Sequence, residues 1–417
     1  MKKLFAAFLA IILLTVMLPI TAVAAETTVS TEAELSAAVA AGGNIKLAND
    51  ITLTNRIDIQ DGQSVTIDLN GFSIKKGSLP FYLRHGTLTF TGTGSVEETE
   101  LNQYSPVLVK GSQDQSATNY SVLNVGANVT FTGWAPIFID QNNGAAYGVV
   151  VNFNGKANGN YEDSAGAYIN GTIQDKVNCP QINIGSTAVV EGKTMGIYAA
   201  GYAIWNIQGT VVGSTGIYMK AGEVNASGAT ITATGAAAAP QPNGNGADST
   251  GDAIIMDSKV GYAGDMKLNL GAGNQITSAN GYALQVANTD VSSGTNVVEL
   301  KISGGNFSGS SESVKLSDEF VTAAEGDNVT VSVTGGTFGG EASQEVIGNY
   351  VPSNMDVNED GTVVSKTITI IVPSESGTTT PAEETKNPST GANDFVGAAV
   401  AVMVISAVGI AALSRKK

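Results

Sequence analysis

From Ile45 onward the chain is written in short alternating runs. Ile45-Lys46-Leu47, Ile51-Thr52-Leu53, Ile57-Asp58-Ile59 and Val65-Thr66-Ile67-Asp68-Leu69 place apolar side chains at every second position, with Gly, Asn and Asp between the runs. A period of two bounded by turn residues predicts β-strands with one apolar face each. A single helix precedes them. Thr31 and Glu34 are spaced as a capping box, in which the Thr hydroxyl accepts from the Glu34 amide and the Glu34 carboxylate reaches back. Leu35, Ala38 and Val39 then share one face, and Gly42-Gly43 ends the segment.

The strand phrases repeat. Alternating runs close on glycine at Gly71, Gly94, Gly126, Gly155, Gly185, Gly209, Gly228, Gly271, Gly304 and Gly335. The spacing runs from 19 (Gly209 to Gly228) to 43 (Gly228 to Gly271). A second phrase runs out of step with the first: GAYI from Gly166, GIYA from Gly196, GIYM from Gly216, DAII from Asp252 and GYAL from Gly281. Two strand phrases per short period are a solenoid signature. The longest gap contains residues 235–252, GAAAAPQPNGNGADSTGD, which reads as a loop inserted into one coil.

The fold expected is all-β, a right-handed parallel β-helix. A strand cannot bury its apolar face within one coil, but coils stacked ~4.8 Å apart pair every strand and make one core. About eleven coils would give a rod on the order of 50 Å long. Low aromatic content, 6%, agrees with a narrow aliphatic core. Asn124, Asn154, Asn183, Asn206, Asn225 and Asn269 recur near the expected corners, where either a stacked ladder or solvent-facing turns would use them. The open ends need caps. The Thr31–Val39 helix is expected at one end. At the other, residues 351–372 include a hairpin from Asp356 with its turn at Glu359-Asp360-Gly361.

The two ends of the chain read differently from the body. Met1-Lys2-Lys3, an apolar run and Ala22-Val23-Ala24 form the n-region, h-region and A-x-A site of a signal peptide over residues 1–25, cut after Ala24 or Ala25. Residues 373–386, PSESGTTTPAEETK, are a solvated Thr/Pro/Glu-rich linker. Residues 387–417 hold Asn387-Pro388-Ser389-Thr390-Gly391, an uncharged run from Phe395 to Leu413 long enough to span a bilayer, and a basic tail. This order resembles the cell-wall sorting signal of Gram-positive surface proteins, whose pattern is L-P-x-T-G. Pro388, Thr390 and Gly391 match, and Asn387 stands where Leu is usual, as in N-P-x-T-G variants. The resemblance implies a sortase that cuts between Thr390 and Gly391 and joins Thr390 to peptidoglycan. The expected location is therefore the cell wall, with a single membrane pass only before processing. Residues 26–350 also resemble, in phrases such as ITLTNRIDIQDGQSVTIDLNGFSI and VSVTGGTFGG, the pectin-lyase-like β-helix proteins of Gram-positive gut bacteria.

Charge narrows the partners. The whole chain carries 37 acids and 21 bases, and processing would leave 36 and 16. Such a surface disfavours nucleic acid. One Cys excludes an internal disulfide framework, and one His excludes HExxH-type metal chemistry. Cys179 reads as an ordinary strand residue. Polysaccharide hydrolases on this fold resemble one another in N-T-D, D-D, G-H-G and R-I-K phrases. This chain has Asn288-Thr289-Asp290 followed by Val291, and none of the others. No catalytic residue is assigned; Arg84 and His85 read as a solvated turn. Asp248, Asp252 and Asp257 are the candidates for Ca²⁺, with solvated loop acids preferred and no other cofactor expected. Tyr198, Tyr202, Trp205 and Tyr218 are the candidate sugar contacts, as an exposed stripe. The leading expectation is a non-catalytic adhesin, glycan-binding or surface-display protein, with host or dietary glycans or surface proteins as partners. A wall-attached polysaccharide lyase or glycoside hydrolase and a structural spacer or coat protein are the alternatives.

Overall fold

The computed structural model describes residues 26–366, apart from 101–103, 141–145, 172–175, 242–247, 259–263, 290–295 and 325–327. The body is a parallel β-helix. Each coil lays down three strands, of which the first two belong to a 21-stranded sheet and the third to a ten-stranded sheet. One coil, for example, comprises Ser64–Asp68, Ser73–Lys76 and Phe81–Arg84. The next begins with Thr87–Thr91, which lies parallel on Ser64–Asp68 with Val65 opposite Leu88 and Ile67 opposite Phe90. The ten-stranded sheet, called the third sheet after the place of its strands in each coil, marks ten complete coils. A part-coil extends each end: Thr27–Val29 pairs onto Gly43–Leu47, and Val329–Phe338 onto Val298–Ser308.

The period of two is what closes the coil. Val65, Ile67, Ile74, Phe81 and Leu83 point inward and are fully buried, while Thr66, Asp68 and Tyr82 between them are not. Each inward side chain then stacks on its counterpart one coil away. The core takes rings as well as aliphatics, contrary to the aliphatic expectation. Phe81, Phe90, Phe131 and Phe153 form an edge-to-face column with centroids 5.3, 5.4 and 5.8 Å apart. Near the far end the first two strands of a coil merge into one, Val298–Ser308, and again into Val329–Phe338. The bend falls at Gly304-Gly305 and Gly335-Gly336, where the register slips. Gly305 and Gly336 have φ of +106° and +112°, which a side chain would make costly.

The asparagines do form a ladder, although not at corners. Asn124, Asn152, Asn183, Asn206, Asn225 and Asn269 sit opposite one another in the first strand of successive coils, on its outer face. Each amide donates to the oxygen of the residue one coil before, at 2.8 to 3.1 Å. Asn124 completes the run by donating to Thr89 at 3.1 Å. Asn152 belongs to the ladder and Asn154 does not, because Asn154 lies one residue past the strand Val149–Phe153.

A helix and a hairpin form at the positions of their sequence signals, and the expected hairpin segment beyond residue 366 lies outside the described residues. The helix Glu32–Ala41 starts with the complete Thr31–Glu34 box and buries Leu35, Ala38 and Val39. Met355–Val357 and Val363–Ser365 pair antiparallel as the hairpin, joined through Asn358–Thr362. Two further short helices, Asp318–Ala323 and Glu341–Gly348, had no clear sequence signal. Cys179 is buried in the turn before the strand Gln181–Ile184 rather than within a strand. Among the described residues no helix is long and apolar enough to cross a membrane. The signal peptide with Ala22, Ala24 and Ala25, the linker, Asn387–Gly391 and the run Phe395–Leu413 lie outside the described residues.

Candidate functional site: an aromatic recess on the third sheet

The outer face of the ten-stranded sheet is unusual for a surface. Its outward column, read coil by coil, is Asp58, Tyr82, Leu108, Phe138, Tyr168 and Tyr198. It continues through Tyr218, Ile255, Gln285 and Lys315. An outward strand position is ordinarily polar. Here six consecutive coils, from Tyr82 to Tyr218, present an aromatic or Leu. The result is a second hydrophobic cluster, outside the core of the helix, built on Ala165, Met195, Tyr198, Ala200, Tyr218 and Ile255.

This cluster corrects the expected sugar contacts. Tyr198, Tyr202, Trp205 and Tyr218 are 5, 1, 0 and 2% exposed, so they make no open stripe. Tyr202 and Trp205 belong to the core itself. Tyr198 and Tyr218 point outward but are nearly wholly buried, and of the two only Tyr198 lines the recess described below. The end of the insertion is tied down beside this region: Thr250 donates its amide to Thr215 Oγ1 at 2.8 Å, and the Ser249 hydroxyl lies 3.1 Å from the same oxygen.

The part-exposed rings lie one and two coils earlier. Trp134, Phe138 and Tyr168 meet there, with Trp134 5.0 Å and Phe138 5.2 Å from Tyr168 between centroids. Tyr168 stacks on Tyr198 at 5.2 Å. Trp134, Tyr168, Tyr198 and Met195 wall a recess of about 430 Å³. Its rim carries Glu162, Asp163 and Asp248. Asp163 Oδ1 accepts from the Trp134 indole at 3.0 Å, which fixes the ring. Asn170 donates to the Tyr168 hydroxyl at 3.2 Å, and burial raises that phenol above its ordinary value. Sequence reasoning missed Trp134 and Tyr168. The signal was present: GAYI, GIYA and GIYM put Tyr168, Tyr198 and Tyr218 at one slot, and alternation puts that slot outside.

The cluster rests on a buried polar anchor. Tyr218 donates its hydroxyl to Asp257 Oδ2. Lys220, wholly buried, donates to the Asp257 carbonyl at 3.2 Å and stands 3.8 Å from Oδ2. Burial raises the Asp257 carboxyl, partly offset by Tyr218 and Lys220. Burial and the Asp257 charge hold the Tyr218 phenol protonated far above its ordinary value.

The three aspartates proposed for Ca²⁺ do not converge. Asp248 is exposed at the recess rim, bonded to Gln241. Asp252 is buried and accepts from the Tyr282 amide at 2.8 Å, with its pKa pushed up to about 6 by burial. Asp257 faces Tyr218 and Lys220. Among the described residues no group of three His, Cys, Asp or Glu side chains has metal-binding geometry. Arg84 is exposed, and His85 sits in a turn with φ +57° and its amide on Ser121 Oγ at 2.7 Å. Asn288 ends the strand Leu284–Asn288, Thr289 follows it, and Asp290 lies outside the described residues. A second hollow, about 520 Å³, lies along the asparagine ladder at Asn206, Asn225 and Asn269 and has no aromatic lining. In comparisons with known proteins, no family, curated protein or solved structure matches the chain.

Proposed function

We propose that the protein is a wall-anchored, right-handed β-helix that binds glycans through the recess at Trp134, Tyr168 and Tyr198, without cleaving them. The observation that supports this reading most strongly is the recess walled by the part-exposed rings of Trp134 and Tyr168. A concave site with aromatic walls and a few polar groups at its edge is the usual form of a small-ligand site. Flat rings accept the apolar face of a sugar, while Asp163, Glu162 and Asn170 offer hydrogen-bond partners to its hydroxyls. Among the described residues the recess lining holds no Lys, Arg or His, which disfavours a lyase, whereas its carboxylates are what a glycoside hydrolase would use, so product release is measured beside binding.

The sorting signal complements this role. Sortase attachment at Thr390 would display the body beyond the wall, with residues 373–386 as tether. Host or dietary glycans are then the reachable partners. The test is a panel of plant, mucin and bacterial polysaccharides, with binding and release of new reducing or unsaturated ends measured in parallel, with and without Ca²⁺. Binding that disappears in Trp134→Ala, with no product, supports the proposal. Product release would replace it with the polysaccharide-active alternative.

A further inference from the structure

We infer that the recess selects glycans carrying free, protonated amines, as in a polymer of deacetylated amino sugar, over neutral glycans and polyuronates. This rests on the glycan-binding reading above. Three carboxylates, Glu162, Asp163 and Asp248, line one recess together with Trp134, Tyr168 and Tyr198, and no basic side chain lines it. Elsewhere on the body several outward acids pair with a Lys of the neighbouring coil. Lys75 meets Glu97 at 3.2 Å, Lys110 meets Asp140 at 2.8 Å, Lys156 meets Glu191 at 2.9 Å and Lys267 meets Glu299 at 3.0 Å. The three recess acids take part in no ion pair among the described residues.

Negative potential and ring faces therefore converge on the same space. An ammonium gains from both, through charge-assisted hydrogen bonds to carboxylates and through attraction to the faces of the Trp and Tyr rings. An acetylated amine keeps the stacking and loses the charge. A uronate brings a fourth carboxylate among three, which is unfavourable. The same arrangement explains why Asp163 is held rigidly by Trp134: its second oxygen remains available while the first orients the ring.

The experiment titrates the full-length protein with three probes: a glucosamine oligomer, the matching N-acetylglucosamine oligomer and oligogalacturonate. Each is run at low and high salt. The glucosamine oligomer should bind about tenfold more tightly than its acetylated form, the size of one hydrogen bond to a charged group. The preference should shrink at high salt and as the pH rises through the amine's own pKa. It should vanish when Glu162→Gln, Asp163→Asn and Asp248→Asn are combined, so that the variant binds the glucosamine and acetylated oligomers with equal affinity. Asp163→Asn keeps an oxygen for the Trp134 indole, so folding is preserved. Equal binding of the two oligomers, tighter binding of the uronate, or a preference that survives neutralisation would overturn this inference and leave the glycan-binding reading intact. Binding of none of the three probes, or binding unchanged in Trp134→Ala, would overturn both.

Discussion

Glu98 gives the structure a measurable cost at neutral pH. It ends the strand Gly94–Glu98 at an inward position, is 1% exposed, and neither carboxylate oxygen has a hydrogen-bond partner of good geometry. Burial pushes its pKa from an ordinary 4.5 to about 7, although the nearby amides of Glu100 and Trp134 and the Tyr161 hydroxyl restrain the rise. Burial and then the Glu98 charge push the Tyr161 phenol up as well, to about 12. The folded chain therefore holds on Glu98 a proton that the unfolded chain releases between 4.5 and 7. Stability falls as pH rises through that window, is free of the penalty below 4.5, and carries all of it above 7. At 1.36 kcal/mol per pH unit the full penalty is about 3 kcal/mol. Glu98→Gln removes the charge and adds a buried amide that finds little to bond, so the net gain at pH 8 is expected to be about 1–2 kcal/mol. At pH 4.5 the variant should be no more stable than the parent. Urea unfolding at both pH values, with unchanged m, measures the difference. If parent and variant lose stability in parallel between pH 4.5 and 8, the reasoning about Glu98 is wrong.

Three further outcomes are expected. Asn183→Ala cuts the ladder at its middle, removing the bond it donates to Asn152 and the one it accepts from Asn206, and should cost about 2 kcal/mol in urea unfolding. Lys220→Met leaves Asp257 buried without its cation and should cost about 3–5 kcal/mol at pH 7. The loss should lessen toward low pH, where the carboxyl, already raised by burial, protonates. Thr390→Ala should leave the protein out of peptidoglycan fragments in wall digests; continued covalent linkage would remove the sortase proposal.

Much of the fold was legible because the signals were local and repeated. Thr31 and Glu34 need only each other to make a cap, and the Val65–Leu69 alternation dictates which side chains face the core. The asparagine ladder was half legible. Residue type and recurrence pointed to it, but choosing Asn152 over Asn154 required the register between strands, which VVNFNG does not state by itself. The site was harder still. Tyr198 and Trp205 are seven residues apart, yet one sits on the outer face of the third sheet and the other in the core, because the chain turns a corner at Gly201–Ala203. Tyr202 falls in that corner and turns inward. Trp134 joined the site through Asp163 in the next coil, a contact made only after coils stack. The helices Asp318–Ala323 and Glu341–Gly348 are short, and tertiary packing of Phe320 and Ile347 holds them more than any periodic stripe.

The chain has two tryptophans, and they divide the central question cleanly. Trp134 lines the recess, whereas Trp205 is fully buried in the core. Titrating the protein with a bound glycan from the panel and following tryptophan emission therefore reports on the recess alone. The account predicts a saturable change that Trp134→Phe abolishes and Trp205→Phe leaves in place. A glycan that binds with equal affinity to Tyr168→Ala, or a change that persists without Trp134, would contradict the assignment of this recess as the binding site.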